Sequence, residues 1–246
     1  MFTLARHELY RLFLSPLAWL ILALTQLILA YLFLTHIDYF MQIQGKISAI
    51  PGAPGVTELI ALPLFNNAAT ILLLLTPLVT MRLIAEERRN DSFPLLLSAP
   101  LSATQIVLGK YFGTLGFFLI LIGLIACMPL ALSTGATLDL IAIGSAIFGL
   151  FLLVASFTAI GLFLSALTKQ PTIAAISTFS LLFLLWIIDW TGNTGESALF
   201  SWLSILSHFQ HISQGDIHTK DIAYYVIIVG FFLTLTVRCI NTQRLS

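Results

Sequence analysis

Charge is scarce in this sequence. Only 9% of its 246 residues are Asp, Glu, Lys or Arg, against about a quarter in soluble domains. Cysteine is scarcer still, at Cys127 and Cys239 alone, which excludes a disulfide scaffold. Neither sign of charge is in excess, with 11 Lys+Arg and 11 Asp+Glu. The basic footprint of a nucleic-acid-binding protein is therefore missing. What is abundant is apolar: 59% hydrophobic residues, 19 Phe and a mean hydropathy of +1.00. Such a chain has too little polar surface to face water on all sides. A soluble globular enzyme is excluded, and an integral membrane protein follows.

A spanning helix needs about 20 mostly apolar residues in a row. Six stretches free of acidic and basic residues meet or approach that length: 12–37, 59–81, 111–138, 140–168, 170–188 and 222–237. The last has only 16 residues and needs Arg238 to snorkel toward the surface. The first is too long for the apolar core of a cleavable signal peptide. Six spans place both termini on one side, and the positive-inside rule chooses that side. With a cytoplasmic N-terminus, Arg6, Arg11, Arg82, Arg88, Arg89, Lys110, Lys169, Arg238 and Arg244 lie inside, and only Lys46 and Lys220 lie outside.

Residues 2–13 place Phe2, Ala5, Leu9, Leu12 and Phe13 at helical spacing, with His7 and Arg11 opposite. This predicts an amphipathic helix in the interface plane, serving either as an anchor or as a contact for a partner. The 38–60 loop is irregular, and Asp139 and Lys169-Gln170-Pro171 mark short turns. Between the second and third spans, 82–110 carries seven of the 22 charges: Arg82, Glu86, Glu87, Arg88, Arg89, Asp91 and Lys110. Apolar residues follow at 93–97 and again at 106–108. A charged stem leading into a short apolar helix suits the docking of a soluble protein, although any loop must also be charged to stay out of lipid.

On the other side, Leu199, Trp202, Leu203, Leu206 and Phe209 form a helical stripe within 191–220, opposite Ser201, Ser204, His208 and His211. A helix lying on, or dipping into, the outer interface is predicted. His208 and His211, with Asp216 or His218, have the composition of a metal site, but interfacial histidines are commonly just that. Gln26, Asn66 and Asn67 are intramembrane amides that glue helices together. Gly109, Gly113 and Gly116 allow close helix approach, as does the small face Ala174, Ala175, Ser177 and Thr178. No charged residue is expected well inside a span. Catalytic signatures are absent: Gly109-Lys110 lacks the remainder of a P-loop, and neither a zinc-protease His pair nor G-x-S-x-G occurs.

The run T-P-L-V-T-M-R-L-I-A-E-E-R-R-N-D-S-F-P-L-L-L-S-A-P-L-S-A-T-Q-I-V-L-G-K-Y-F-G at 76–113 resembles the junction of the second span, coupling helix and third span of ABC-2 type transporter permeases, especially the gliding-motility-type subfamily. R-H-E-L-Y-R-L-F-L-S-P-L-A at 6–18, L-S-I-L-S-H-F-Q-H-I-S-Q-G-D-I at 203–217 and L-T-V-R-C-I-N-T-Q-R at 235–244 resemble the same family. The resemblance implies an all-α membrane protein with six transmembrane helices: one ABC-2 (type V) exporter transmembrane domain over 1–246, with N- and C-termini cytoplasmic. Within it, 1–16 would be the amphipathic interface helix, 82–110 the cytoplasmic coupling segment, and 191–220 an external loop with re-entrant or interfacial helices.

The same resemblance implies an export permease in a bacterial inner membrane that pairs with a second permease subunit, as a homo- or heterodimer, and docks on a separate ABC ATPase. ATP and Mg would belong to that partner, and this chain would bind no cofactor or metal and catalyse nothing. A companion membrane or periplasmic auxiliary subunit is also compatible with it. Glu86, Glu87, Arg88 and Arg89 would set docking register, while Phe93, Leu95, Leu96 and Leu97 would be the buried anchors. Arg6, Glu8 and Arg11 lie on the interface helix. Relatives carry Gly-Thr and then Glu where this chain has Asp91-Ser92 and Pro94; Pro94 favours a helix start there, capped by Ser92 or Asp91. Two alternatives stay open: a mechanotransmitting subunit that drives a partner without transport, and a membrane scaffold with no ATPase.

Overall fold

The run 140–168, the most apolar of the six, becomes the helix around which the others pack. The computed structural model describes residues 2–47, 55–90, 102–134, 138–192 and 204–245, and among them every regular element is helical. In chain order these are α1 (Phe2–Leu14), α2 (Pro16–Ile47), a π-helical turn (Thr57–Ala61) running into α3 (Leu62–Thr80), α4 (Ala85–Arg89), α5 (Ala103–Ala131), α6 (Leu140–Leu167), α7 (Pro171–Gly192), α8 (Ile205–Ser213) and α9 (Thr219–Leu245). Six helices are long and apolar enough to cross a membrane: α2, α3 with its flanking turns, α5, α6, α7 and α9.

Helix α6 packs against α3, α5, α7, α8 and α9. Its most apolar window is 67% buried, against 17% for those of α7 and α9. A helix hydrophobic all round belongs inside a bundle, whereas α7 and α9 keep faces for lipid or for another subunit. Tyr111 Oη on α5 reaches across to donate to the Ala155 carbonyl of α6 at 3.1 Å. Asn67 Nδ2 meets His36 Nε2 at 3.2 Å, joining α2 to α3 as expected of an intramembrane amide. Gln26 Nε2 and Asn66 Oδ1 are buried and find no hydrogen-bond partner among the described residues.

Several expectations need correction. The apolar run 106–108 lies in the second turn of α5, the helix of the third span. Ser102 Oγ accepts from the Gln105 amide while the Gln105 side chain returns to the Ser102 amide, a capping box that starts α5 at Ala103. Lys110 therefore lies in the third turn of a spanning helix and is 1% exposed. Asp221, in the first turn of α9, is wholly buried. Both groups are enclosed by protein, and each is met by a partner from another element. The sixth span is likewise longer than its charge-free stretch of sequence: α9 runs 27 residues.

The amphipathic helix is α1, but its buried side differs from the predicted stripe. Phe2 is 88% exposed, whereas Glu8 is 4% exposed. The reason is the glycine face of α5. A Cβ on Gly113 would sit 2.8 Å from both the Ala5 carbonyl oxygen and Glu8 Cβ, so only glycine lets α1 lie this close. A Cβ on Gly109 would likewise sit 2.6 Å from Leu4 Cδ2, whereas one on Gly116 would meet Leu9 in ordinary contact at 3.5 Å. The helix is docked on α5.

The predicted outer helix is α8, ended by Gly215 at φ 94, a left-handed conformation suited to glycine. Leu206 and Phe209 are buried as expected, but so are Ser204 and His208. Because α8 packs against α6, α7 and α9 together, it has no broad wet face. Leu199, Ser201, Trp202 and Leu203 lie outside the described residues.

Candidate docking site

Glu87 of α4 and Glu8 of α1 converge on one residue of α5. Lys110 Nζ lies 2.5 Å from Glu87 Oε1 and 3.4 Å from Glu8 Oε2. Arg11 lies 3.2 Å from Glu87 Oε1 and 3.4 Å from Glu86 Oε2. Three acids and two bases thus join α1, α4 and the start of α5. The side chains of Lys110 and Glu8 are 1% and 5% exposed, so this end of the network is desolvated and each charge depends on its partner. The Arg11 side chain is 40% exposed, so its contacts to Glu86 and Glu87 contribute less.

The fourth span fixes the other end of α4. The Ser165 hydroxyl of α6 accepts from the amides of Ile84 and Ala85, each at 3.1 Å, and donates to the Met81 carbonyl at 3.1 Å. Helix α4 has no side-chain cap of its own; Ser165 supplies one from 80 residues away. Ser165→Ala is expected to leave two buried amides without their acceptor, at about 1–3 kcal/mol. Amide hydrogen exchange should then accelerate across 81–90 with little change in α6; unchanged protection there would dismiss the capping role.

Of the residues expected to dock a partner, Glu86 and Glu87 are engaged within the chain, Arg88 is half-buried, and Arg89 is exposed. Arg6 is exposed on α1. Phe93, Pro94, Leu95, Leu96 and Leu97 lie outside the described residues, as do Asp91 and Ser92. A model of the ABC-2 family transporter proteins matches residues 2–240.

The chain belongs to the ABC-2 transporter family. It is the permease subunit of an ABC system, a multi-pass membrane protein whose family implies an ABC ATPase partner and pairing of subunits. No individually curated protein matches the chain closely. In this ABC-2 permease the residues absent from the sequence reading as functional groups are Lys110 and Ser165. In the sequence Lys110 is one of the seven charges of 82–110 and the residue before the third apolar stretch. The S-A-T-Q spelling of the capping box at 102–105 was the one signal that places it inside the helix. Ser165 has no such local signal, since its partners are tertiary. His208, considered for metal binding, turns its Nδ1 to Asp221, while His211 is exposed. Among the described residues no three His, Cys, Asp or Glu side chains come together as a metal site.

Proposed function

We propose that this permease exports a cargo across a bacterial inner membrane, working as one of a pair of subunits with both termini in the cytoplasm. A separate ATPase, which holds ATP and Mg, docks on the segment from Glu86 to Leu97 beside α1. The observation that carries this reading is the ion-pair network through Lys110. It binds α4, the stem of the proposed coupling helix, to α1 and to the third span, while Ser165 binds it to the fourth. Closure of two ATPase subunits moves whatever sits on them. A short helix joined to several spans at once converts that movement into tilting of the spans rather than flexing of a loop.

Glu86 and Glu87 face inward and hold the stem in place; Arg89 is exposed to a partner, and Arg88 partly so. Phe93, Leu95, Leu96 and Leu97 supply the apolar side chains that a groove on the ATPase would take. Phe93→Asp with Leu96→Asp is expected to weaken co-purification of the ATPase at least about 30-fold, the loss of one interface hot spot. Far-UV circular dichroism and gel-filtration behaviour of the permease should be unchanged. Intact complex formation and coupled hydrolysis in that variant would refute the docking assignment.

A further inference from the structure

Two clefts lie side by side where α3, α4 and α7 end. One, of about 500 Å³, is lined by Arg88, Arg89, Lys169, Gln170, Pro171 and Thr172. The other, of about 460 Å³, shares Arg89, Pro171 and Thr172 and adds Arg82, Glu86 and Asn90. Arg82, Arg89 and Lys169 are exposed and form no ion pair among the described residues. Glu86, the one carboxylate of the lining among the described residues, is already engaged by Arg11 at 3.4 Å. The clefts therefore carry uncompensated positive charge. Pro171 and Thr172 open α7, so the positive end of a 22-residue helix adds to that field.

Directly beyond the clefts the surface becomes apolar. Ile173, Ile176 and Phe179 step along α7 at helical spacing and are 51%, 64% and 37% exposed. Basic residues at the end of a span with a bare apolar stripe beneath them match a molecule of the same pattern: an anionic head above acyl chains. An acidic protein surface would satisfy the cations but leave the stripe uncovered. We propose that the paired clefts at the start of α7 hold the headgroup of an anionic phospholipid, its phosphates on Arg82, Arg89 and Lys169 and its acyl chains along Ile173, Ile176 and Phe179. Two joined clefts sharing Arg89 suit a headgroup with two phosphates better than one with a single phosphate.

The inference shares Arg89 with the proposed docking segment but is tested apart from it, because Arg82 and Lys169 have no place in that segment and every variant below keeps Arg89. The test is lipid binding by the purified full-length chain in mild detergent, read by native mass spectrometry. Cardiolipin, phosphatidylglycerol and phosphatidylcholine are titrated against the wild type, Lys169→Gln, and Arg82→Gln with Lys169→Gln. Lys220→Gln, an exposed base at the far end of the molecule, is the control. Cardiolipin should bind most tightly and phosphatidylcholine least. The double variant should lose about 25-fold and the single about fivefold, from roughly fivefold per surface charge; Lys220→Gln should lose nothing. Equal binding of all three lipids, or unchanged cardiolipin binding in a folded Lys169→Gln chain, would overturn the proposal. So would inorganic phosphate protecting the chain from thermal unfolding as well as cardiolipin does, which would mark a free-anion site. Loss of ATPase co-purification with lipid binding intact would also overturn it and assign the clefts to a protein partner.

Discussion

Lys110→Met should destabilise the protein by about 3–5 kcal/mol, because it leaves the buried carboxylate of Glu8 with no close base to neutralise it. Glu8 is 4% exposed, and its other cationic contact, Arg11, is 4.0 Å away on a side chain 40% exposed. Glu87 suffers less, since it keeps Arg11 at 3.2 Å. The double variant Glu8→Gln with Lys110→Met removes the stranded charge along with its partner. It should therefore be more stable than Lys110→Met alone by about 1–3 kcal/mol, a coupling typical of buried contacts. Lys110→Arg should not rescue, because the planar guanidinium cannot occupy the space of a compact ammonium between two acids. Denaturant titration of the purified chain in detergent measures all three. Equal losses in the single and double variants would show that Glu8 and Lys110 are not energetically paired. If the network carries motion from the ATPase, Glu8→Gln with Lys110→Met should also bind the ATPase normally yet couple hydrolysis poorly.

His208→Ala should cost a similar 3–5 kcal/mol, for the same reason at the other end of the molecule. Asp221 is fully buried in α9, its Oδ1 lies 2.5 Å from His208 Nδ1 on α8, and its Oδ2 has no hydrogen-bond partner among the described residues. Without the imidazole, the carboxyl group would be left in an apolar surround. His208 also stacks on Tyr224, with ring centroids 4.3 Å apart, while Tyr225 Oη donates to the Ile205 carbonyl at 2.7 Å. Both tyrosines belong to α9, so the imidazole is the centre of the joint between α8 and α9. Asp221→Asn, which retains a hydrogen-bonding group of the same shape, should cost only about 1 kcal/mol. His208→Ala with Asp221→Leu should recover much of the loss, as buried ion pairs replaced by apolar groups often do. Hydrogen exchange across 205–213 gives the local readout: protection there equal to that of the wild type in His208→Ala would dismiss the joint.

Both sites show that a charged residue near the end of a span can be buried in protein. Reading charged residues as the ends of spans located six helices correctly, because most of the few charges do lie at helix ends. It did not reveal that Lys110 and Asp221 are buried in protein, where partners from other elements offset the cost of burial. The pairing residues lie 102 positions away for Glu8 and 13 for His208. Periodicity misjudged α1 and α8 in a related way. An amphipathic pattern tells which side of a helix is apolar, but both helices are enclosed by protein, so a polar residue on the wrong side was buried with a partner. The glycine seam on α5 was legible as a site of close approach; that its occupant is α1 was not.

The sequence by itself determined the membrane, the six spans, the helical class and, through E-E-R-R…L-L-L-S-A-P…G-K, the family. Those properties follow from composition, run length and local spelling, which act along the chain. Only the tertiary structure decided that α1 lies on the third span, that Glu86 and Glu87 face inward while Arg89 faces outward, that Ser165 caps α4 from the fourth span, and that the bases of two separate turns meet in one pair of clefts. Each of these depends on groups brought together from distant parts of the chain. In a bilayer the energy of a charge is set by what it touches, and that is a property of the packed helices alone.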